Sequence, residues 1–337
     1  MQRIKITPEL RVKVDKFCDD LFVETRKDHF VLPKKRLENF KSSLVVGKHK
    51  QQIEFIEKII DEYPRILKAD PDEMKVLIEE FENILPKPEL SRKVPNKKKK
   101  TPPFWESIVY AMRYEDLRDK EYKNFSINEG IKSCVYCNSQ LALVVDYSYY
   151  NNKEKKKFKG RKARFELDHY YPKSKYPYLC ATFFNLYPTC GSCNRSKSDK
   201  EVKFELYTNT DDLNVFNFWL EDESILKFLN SKNREDINIW FERLDGDLEL
   251  LNKFNELFQI QGIYDTQKDV AEELILKADA YSETYKKNLS EIFNELFQDV
   301  TIVDRLLIGN YDKPEDIHKR PLAKFQQDIA RQLKLIK

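Results

Sequence analysis

Apolar residues recur at three- and four-residue spacing through most of the chain, which is the signature of amphipathic helices. In residues 1–90, Ile53, Ile56, Ile59 and Ile60 give one such face. Asp70-Pro71-Asp72-Glu73 reads as a helix start, with Asp70 as the cap, Pro71 in the first helical position and Glu73 closing a capping box. Met74, Leu77, Ile78 and Phe81 continue that helix. Prolines at 86, 88, 95, 102 and 103 then interrupt the pattern. A helix resumes over Phe104 to Lys120, with Trp105, Ile108, Val109 and Met112 on one face. Residues 206–337 read as helical again. Leu248, Leu250, Leu251, Phe254, Leu257 and Phe258 form a broad face, and Asp265 to Asn288 reads as one long helix. A last helix starts at Pro314 and carries the stripe Phe325, Ile329, Leu333 and Ile336. Such stripes pack into a core, and a terminal one can also dock on a partner.

The pattern changes in the middle of the chain. Leu141 to Val145 and Ala163 to Leu167 read as strands. Between them, residues 153–164 carry eight basic residues and one acid, so this link is a solvated tip or a wing that meets phosphates. Gly160 is expected to provide its turn, and Tyr147, Tyr149 and Tyr150 precede it. The candidate nucleic-acid contacts here are Lys155, Lys156, Lys157, Lys159, Arg161 and Lys162. Lys98 and Lys99, in the run 97–100, belong to a solvated linker or to an arm that follows a phosphate backbone. The fold class expected is α+β, mostly α. A helical region at 1–90 and a basic Pro/Lys linker at 91–103 precede a mixed domain at 104–205, and an acidic helical region follows at 206–337.

Charge sharpens this division. Residues 201–337 hold 18 Lys/Arg against 28 Asp/Glu, whereas the remainder holds 42 against 29. The basic part suits phosphate, and the acidic part suits contact with protein. No run of 18 apolar residues occurs, so no membrane span is expected. The segment Met1 to Lys5 lacks an apolar stretch followed by a small-residue cleavage site, and a cytoplasmic location is expected. There is no internal repeat, no P-loop glycine pattern and no Ser-His-Asp grouping.

Two chemistries interleave between Cys134 and Lys200. Cys134/Cys137 and Cys190/Cys193 are C-x2-C pairs, and two such pairs complete the tetrahedral S4 shell of a structural Zn2+ site. Cys18 and Cys180 are left over as thiols. The second chemistry rests on Asp168, His169, Asn185 and Asn194. Asp168 and Asn194 can hold Mg2+ or Mn2+, with His169 taking a proton from water as general base. Asn194 directly follows the second cysteine pair, so zinc would fix it relative to Asp168. Asn185 is expected to hold the loop bearing His169 through side-chain to backbone bonds. Arg195 and Lys197 fall at an expected helix start, where cations and the helix dipole both favour a phosphate. Asp28-His29 repeats the dipeptide without any such frame and reads as ordinary, as does His318.

In order, C-x2-C, D-H, Pro172, Asn185-Leu186 and C-x2-C-N resemble the HNH endonucleases, which have a ββα-metal fold with a zinc knuckle. The usual glycine pair after D-H is replaced by Lys173 to Tyr178. The resemblance implies hydrolysis of phosphodiester bonds leaving 5′-phosphate and 3′-hydroxyl ends. Duplex DNA is the family's default substrate, and structured RNA such as tRNA is the alternative. A zinc-ribbon binding module with a purely structural D-H pair is the reading from another class. The layout, helical flanks around such a core, also resembles nuclease subunits of bacterial anti-phage systems of the Septu type, which implies an ATPase partner.

Overall fold

The computed structural model describes residues 1–21, 30–94, 102–122, 125, 130–151, 153–281, 284–285, 288, 291 and 301–336. The side chains of residues 120, 156, 158, 161 and 301–303 lie outside the described set, as do His29, Lys98 and Lys99. Within it, the protein is a mixed α+β fold in which helix predominates. No helix among the described residues is long and apolar enough to cross a membrane.

The N-terminal region consists of α1 (Pro8–Asp20), α2 (Pro33–Lys41), α3 (Lys50–Asp61), α4 (Tyr63–Lys68) and α5 (Pro71–Ile84). Asp70 caps α5, its Oδ1 accepting from the Asp72 and Glu73 backbone amides at 3.1 and 2.9 Å. Glu73 does not close a capping box; its carboxylate turns instead to the Arg65 guanidinium. α6 (Phe104–Ala111) stops earlier than expected because Arg113 takes a left-handed backbone conformation, φ 58°. A helical turn at Tyr114–Asp116 follows and leads toward the mixed region.

That region holds two separate two-stranded sheets. β1 (Ile4–Lys5) lies elsewhere, paired in parallel with β6 (Tyr207–Thr208). β2 (Leu143–Asn151) and β3 (Lys156–Arg164) form a long antiparallel ribbon. β4 (Glu166–His169) pairs with β5 (Leu186–Thr189), His169 opposite Leu186. Three expectations are corrected here. The strand expected at Ala163–Leu167 is two strands: β3 ends at Arg164, and β4 starts at Glu166 in another sheet. Gly160 is not the turn but a mid-strand residue opposite Tyr147. Arg195 and Lys197 do not open a helix, because α7 (Gly191–Lys197) has already begun at the cysteine pair.

The acidic region is less helical than its stripes suggest. β7 (Phe216–Leu220) and β8 (Ile239–Arg243) form an antiparallel pair that buries Phe216, Phe218, Leu220, Ile239 and Phe241. Around it lie α8 (Asp222–Ser231), α9 (Leu248–Phe258), α10 (Ile260–Asp265), α11 (Lys268–Ala280), α12 (Thr301–Ile308) and α13 (Ala323–Gln332). The single helix expected at 265–288 opens later, at Lys268, and closes at Ala280, with Tyr281 outside it. Pro314 starts a short 3-10 turn rather than the last helix. Phe325, Ile329 and Ile336 are buried, so the terminal stripe belongs to the chain's own core.

One hydrophobic cluster runs through all of these regions. Its aromatic centre includes Phe81 stacked on Tyr178 at 3.9 Å, with Phe55 edge-on to both. This contact ties the N-terminal helices to the loop that follows β4. Thr182 adds a hydrogen bond to the Ile66 carbonyl, 2.8 Å. On the opposite side, Tyr264 donates to the Cys137 carbonyl at 2.8 Å, and Asn138 accepts from the Lys324 amide at 3.0 Å. The middle region is therefore braced from both ends of the chain.

Candidate metal centre and adjoining acid–base site

Cys134, Cys137, Cys190 and Cys193 converge, all four buried and with their sulfurs within 4.8 Å of one another. Such a cluster could hold a metal ion such as zinc, whose roughly 2.3 Å bonds to four thiolates give a tetrahedron of this size. Burial pushes the Cys134 thiol well up, so four charged thiolates in this space require a cation. The first pair sits in a loop and the second at the start of α7. An ion between them would clamp the helix to the loop.

α7 lies against β4, and residues of matching spacing meet across them. Alternation puts Glu166 and Asp168 on one face of β4. Asn194 and Lys197, three apart, share a face of α7. Asn194 Nδ2 donates to Glu166 Oε2 at 2.5 Å. One pleat deeper, Lys197 Nζ lies 3.2 Å from Asp168 Oδ1 and 3.1 Å from Oδ2, and donates to the His169 carbonyl at 2.6 Å. Tyr136, from between the first two cysteines, donates to Asp168 Oδ2 at 2.7 Å. The cysteine cluster thus joins the elements that carry three partners of β4: the loop with Tyr136 and the helix with Asn194 and Lys197.

Lys197 is a correction to the expected nucleic-acid contacts. Its side chain is fully buried, and that of Asp168 is 3% exposed. Burial raises the Asp168 carboxyl and lowers the Lys197 ammonium. Their mutual attraction opposes both shifts. Lys197 is an internal counter-ion, whereas Arg195, on the same helix, is exposed and lines the cleft.

His169 is buried beside the Tyr114 ring, 4.5 Å between centroids. Its Nε2 lies 3.1 Å from the Cys180 carbonyl. A carbonyl only accepts, so this contact puts the proton on Nε2 and leaves Nδ1 as the acceptor. Burial first, and the Lys173 charge second, push the imidazole down to about 3. The ring is therefore neutral at neutral pH. Asn185, fully buried, accepts from the Tyr171 amide at 2.7 Å and donates to the carbonyls of Tyr171 and Leu179 at 3.2 and 2.9 Å. These bonds lace together the loop that runs from His169 to the Cys180 carbonyl.

Asp168, His169, Glu166, Asn194, Lys162, Lys173 and Arg195 all line one open cleft of about 870 Å³. Lys155, Lys157 and Lys159 lie farther out on the ribbon and are exposed. Lys156 and Arg161 are placed in the ribbon by their backbone alone. Three participants were not singled out from the sequence: Glu166, Tyr136 and Lys197 in its buried role. Glu166 was signalled by its two-residue spacing from Asp168 on a strand, and Tyr136 by its place inside a C-x2-C loop.

For a hard divalent ion, the donor chemistry fits. The Glu166 carboxylate lies in the open cleft with the Asn194 amide nitrogen against it, and rotation of that amide would bring its oxygen to an ion there, which takes one or two carboxylates and keeps several waters. Asp168 brings a second carboxylate whose charge Lys197 already balances. No family model matches the chain, no curated protein matches it, and no solved structure matches it.

Proposed function

We propose that the protein is a metal-dependent nuclease that hydrolyses phosphodiester bonds in nucleic acid. The observation that supports this best is the convergence of a neutral, tautomer-fixed His169 with Asp168, Glu166 and Asn194 in one cation-lined cleft. Asp168 and Asn194, with Glu166 beside them, are the residues that would hold Mg2+ or Mn2+. When bound, such an ion supplies Lewis acidity to the phosphate and stabilises charge on the leaving oxygen.

The chain's own residues do the rest. Lys162, Lys173 and Arg195 draw the phosphodiester into the cleft. His169 Nδ1 accepts a proton from the attacking water. The low basicity that burial gives the ring rises when a polyanion enters, because nearby negative charge favours the imidazolium. The Cys180 carbonyl then holds the Nε2 proton of that imidazolium. Asn185 keeps this carbonyl and the ring in register through the loop.

The test is cleavage with Mg2+ or Mn2+ and none in EDTA, using duplex DNA, single-stranded DNA and tRNA. Glu166→Gln is expected to raise the Mn2+ concentration for half-maximal cleavage about ten-fold, since it removes one ligand charge while keeping the shape. Equal cleavage in EDTA would contradict the reading. An unchanged Mn2+ requirement in Glu166→Gln would remove Glu166 from the ligand set.

A further inference from the structure

The β2–β3 ribbon presents two different faces. Its strands are nine residues each, so it extends roughly 30 Å from its base at the cleft. Directly opposed residues of an antiparallel pair share a face. One face carries Val145, Tyr147 and Tyr149, opposite Lys162, Gly160 and Phe158. The other carries Asp146, Ser148 and Tyr150, opposite Arg161, Lys159 and Lys157. Basic residues stand on both faces, Lys162 and Arg164 on the first and Lys157 and Lys159 on the second; what sets the first apart is its pair of neighbouring tyrosines.

Tyr147 and Tyr149 are 44% and 55% exposed, which is unusual for paired aromatics in so polar a setting. Their rings are close to parallel, 15° apart, with centroids at 6.1 Å. A flat ring held between them at van der Waals contact needs roughly 7 Å. A small outward shift of either exposed ring supplies the difference. Gly160 allows this posture. A Cβ there would lie 2.6 Å from the Tyr147 hydroxyl, so any larger residue would push that ring away.

We infer that the aromatic face of the ribbon binds unpaired bases by stacking, so that the enzyme's substrate is single-stranded or looped nucleic acid rather than intact duplex. In a duplex the base faces are covered by their neighbours, and a ribbon in the groove meets only base edges and phosphates. The residues of this face that can read edges, Lys162 and Arg164 at its base and Asn151 at its tip, flank the two tyrosines, whose flat rings suit a base face instead. Unpaired bases offer their faces, and every base has one, so stacking on tyrosine combined with a basic track binds single strands broadly. Lys162, on the same face as the tyrosines, stands where the ribbon meets the cleft, and Lys157 and Lys159 add positive charge on the opposite face. A strand held on the ribbon is thereby led to His169.

This inference rests on the nucleic-acid reading above, and its test does not depend on cleavage. Full-length His169→Ala, loaded with zinc, is titrated by fluorescence anisotropy with a single strand, a hairpin having a long loop, and a blunt duplex, at one fixed salt concentration. The single strand and the hairpin are expected to bind at least ten-fold tighter than the duplex. Tyr147→Leu with Tyr149→Leu should weaken single-strand binding roughly thirty-fold, the loss of two stacking platforms, while Tyr147→Phe with Tyr149→Phe should retain it. Circular dichroism and zinc content verify that each variant is folded. Duplex binding as tight as single-strand binding, or Leu and Phe pairs that behave alike, would overturn the inference. The two failures are separable: strands bound but never cut by wild type would sink the nuclease reading alone, and duplex both bound and cut in preference would sink this one alone.

Discussion

Cys190→Ser is expected to reduce bound zinc from about one ion per chain to near none, and to lower the melting temperature by roughly 10 °C or more. The reason lies in what the cluster connects. Cys190 and Cys193 hold the start of α7, and Cys134 and Cys137 hold the loop with Tyr136. Without the ion, four sulfurs within 4.8 Å of one another have no common partner. Tyr136, Asn194 and Lys197 then lose their shared frame, and with it the side chains that grip Asp168 and Glu166. Nucleic-acid cleavage should vanish together with the zinc, and added Mg2+ should not restore it. Cys18→Ser is the control. Cys18 is also buried, but its sulfur lies against the Leu67 carbonyl at 3.5 Å, away from the cluster. Zinc content by mass spectrometry and thermal unfolding of the two variants measure the effect. A Cys190→Ser protein that keeps its zinc, or melts like Cys18→Ser, would refute the clamp.

Lys197→Met is expected to cost about 3–5 kcal/mol of folding stability, far more than a surface lysine would. The substitution leaves the Asp168 carboxylate 3% exposed with Tyr136 and the His169 backbone amide as its neutral partners, and leaves the His169 carbonyl without its Lys197 donor. A buried charge stripped of its counter-charge is the costly case, whereas removal of both charges is mild. Adding Asp168→Asn to Lys197→Met should therefore recover most of the lost stability and none of the activity. Urea unfolding of the two single variants and the double variant gives the coupling directly. Additive losses would show that Lys197 and Asp168 do not act as a pair. An unchanged midpoint for Lys197→Met would show that its ammonium is not buried as described.

The convergence of the cysteine pairs, the placing of Asp168, His169 and Asn194 along one cleft and the bonds of Asn185 to the loop after His169 were legible in the sequence because they depend on local spacing. A C-x2-C loop and a D-H strand end carry their own geometry. What was hidden depended on distant partners. Lys197 looks like its neighbours Arg195 and Lys200 until α7 is laid on β4, and only then is its fate as a counter-ion set. The apolar alternation of Phe216, Phe218 and Leu220 was present in the sequence, but it is five residues long and lies among helical stripes, which outweighed it. Glycine favours turns, so Gly160 reads as a turn in the sequence. Its actual role is to leave room for a ring on the opposite strand, which a one-strand pattern cannot reveal. Helix ends failed for a related reason: the left-handed Arg113 is set by tertiary packing, not by a glycine or proline that would announce it.

The most direct test of the account compares wild type with His169→Ala in a single-turnover cleavage assay. Both proteins are loaded with zinc and given single-stranded DNA, duplex DNA and tRNA in Mn2+ and in EDTA. The account predicts Mn2+-dependent cutting by wild type. It also predicts a 10²- to 10⁴-fold lower rate for His169→Ala at equal zinc content, the range expected when a general base is removed. Equal rates in the two proteins would contradict the role of His169. No cutting by zinc-loaded wild type that binds these nucleic acids would contradict the nuclease itself and make the fold a zinc-stabilised binding module.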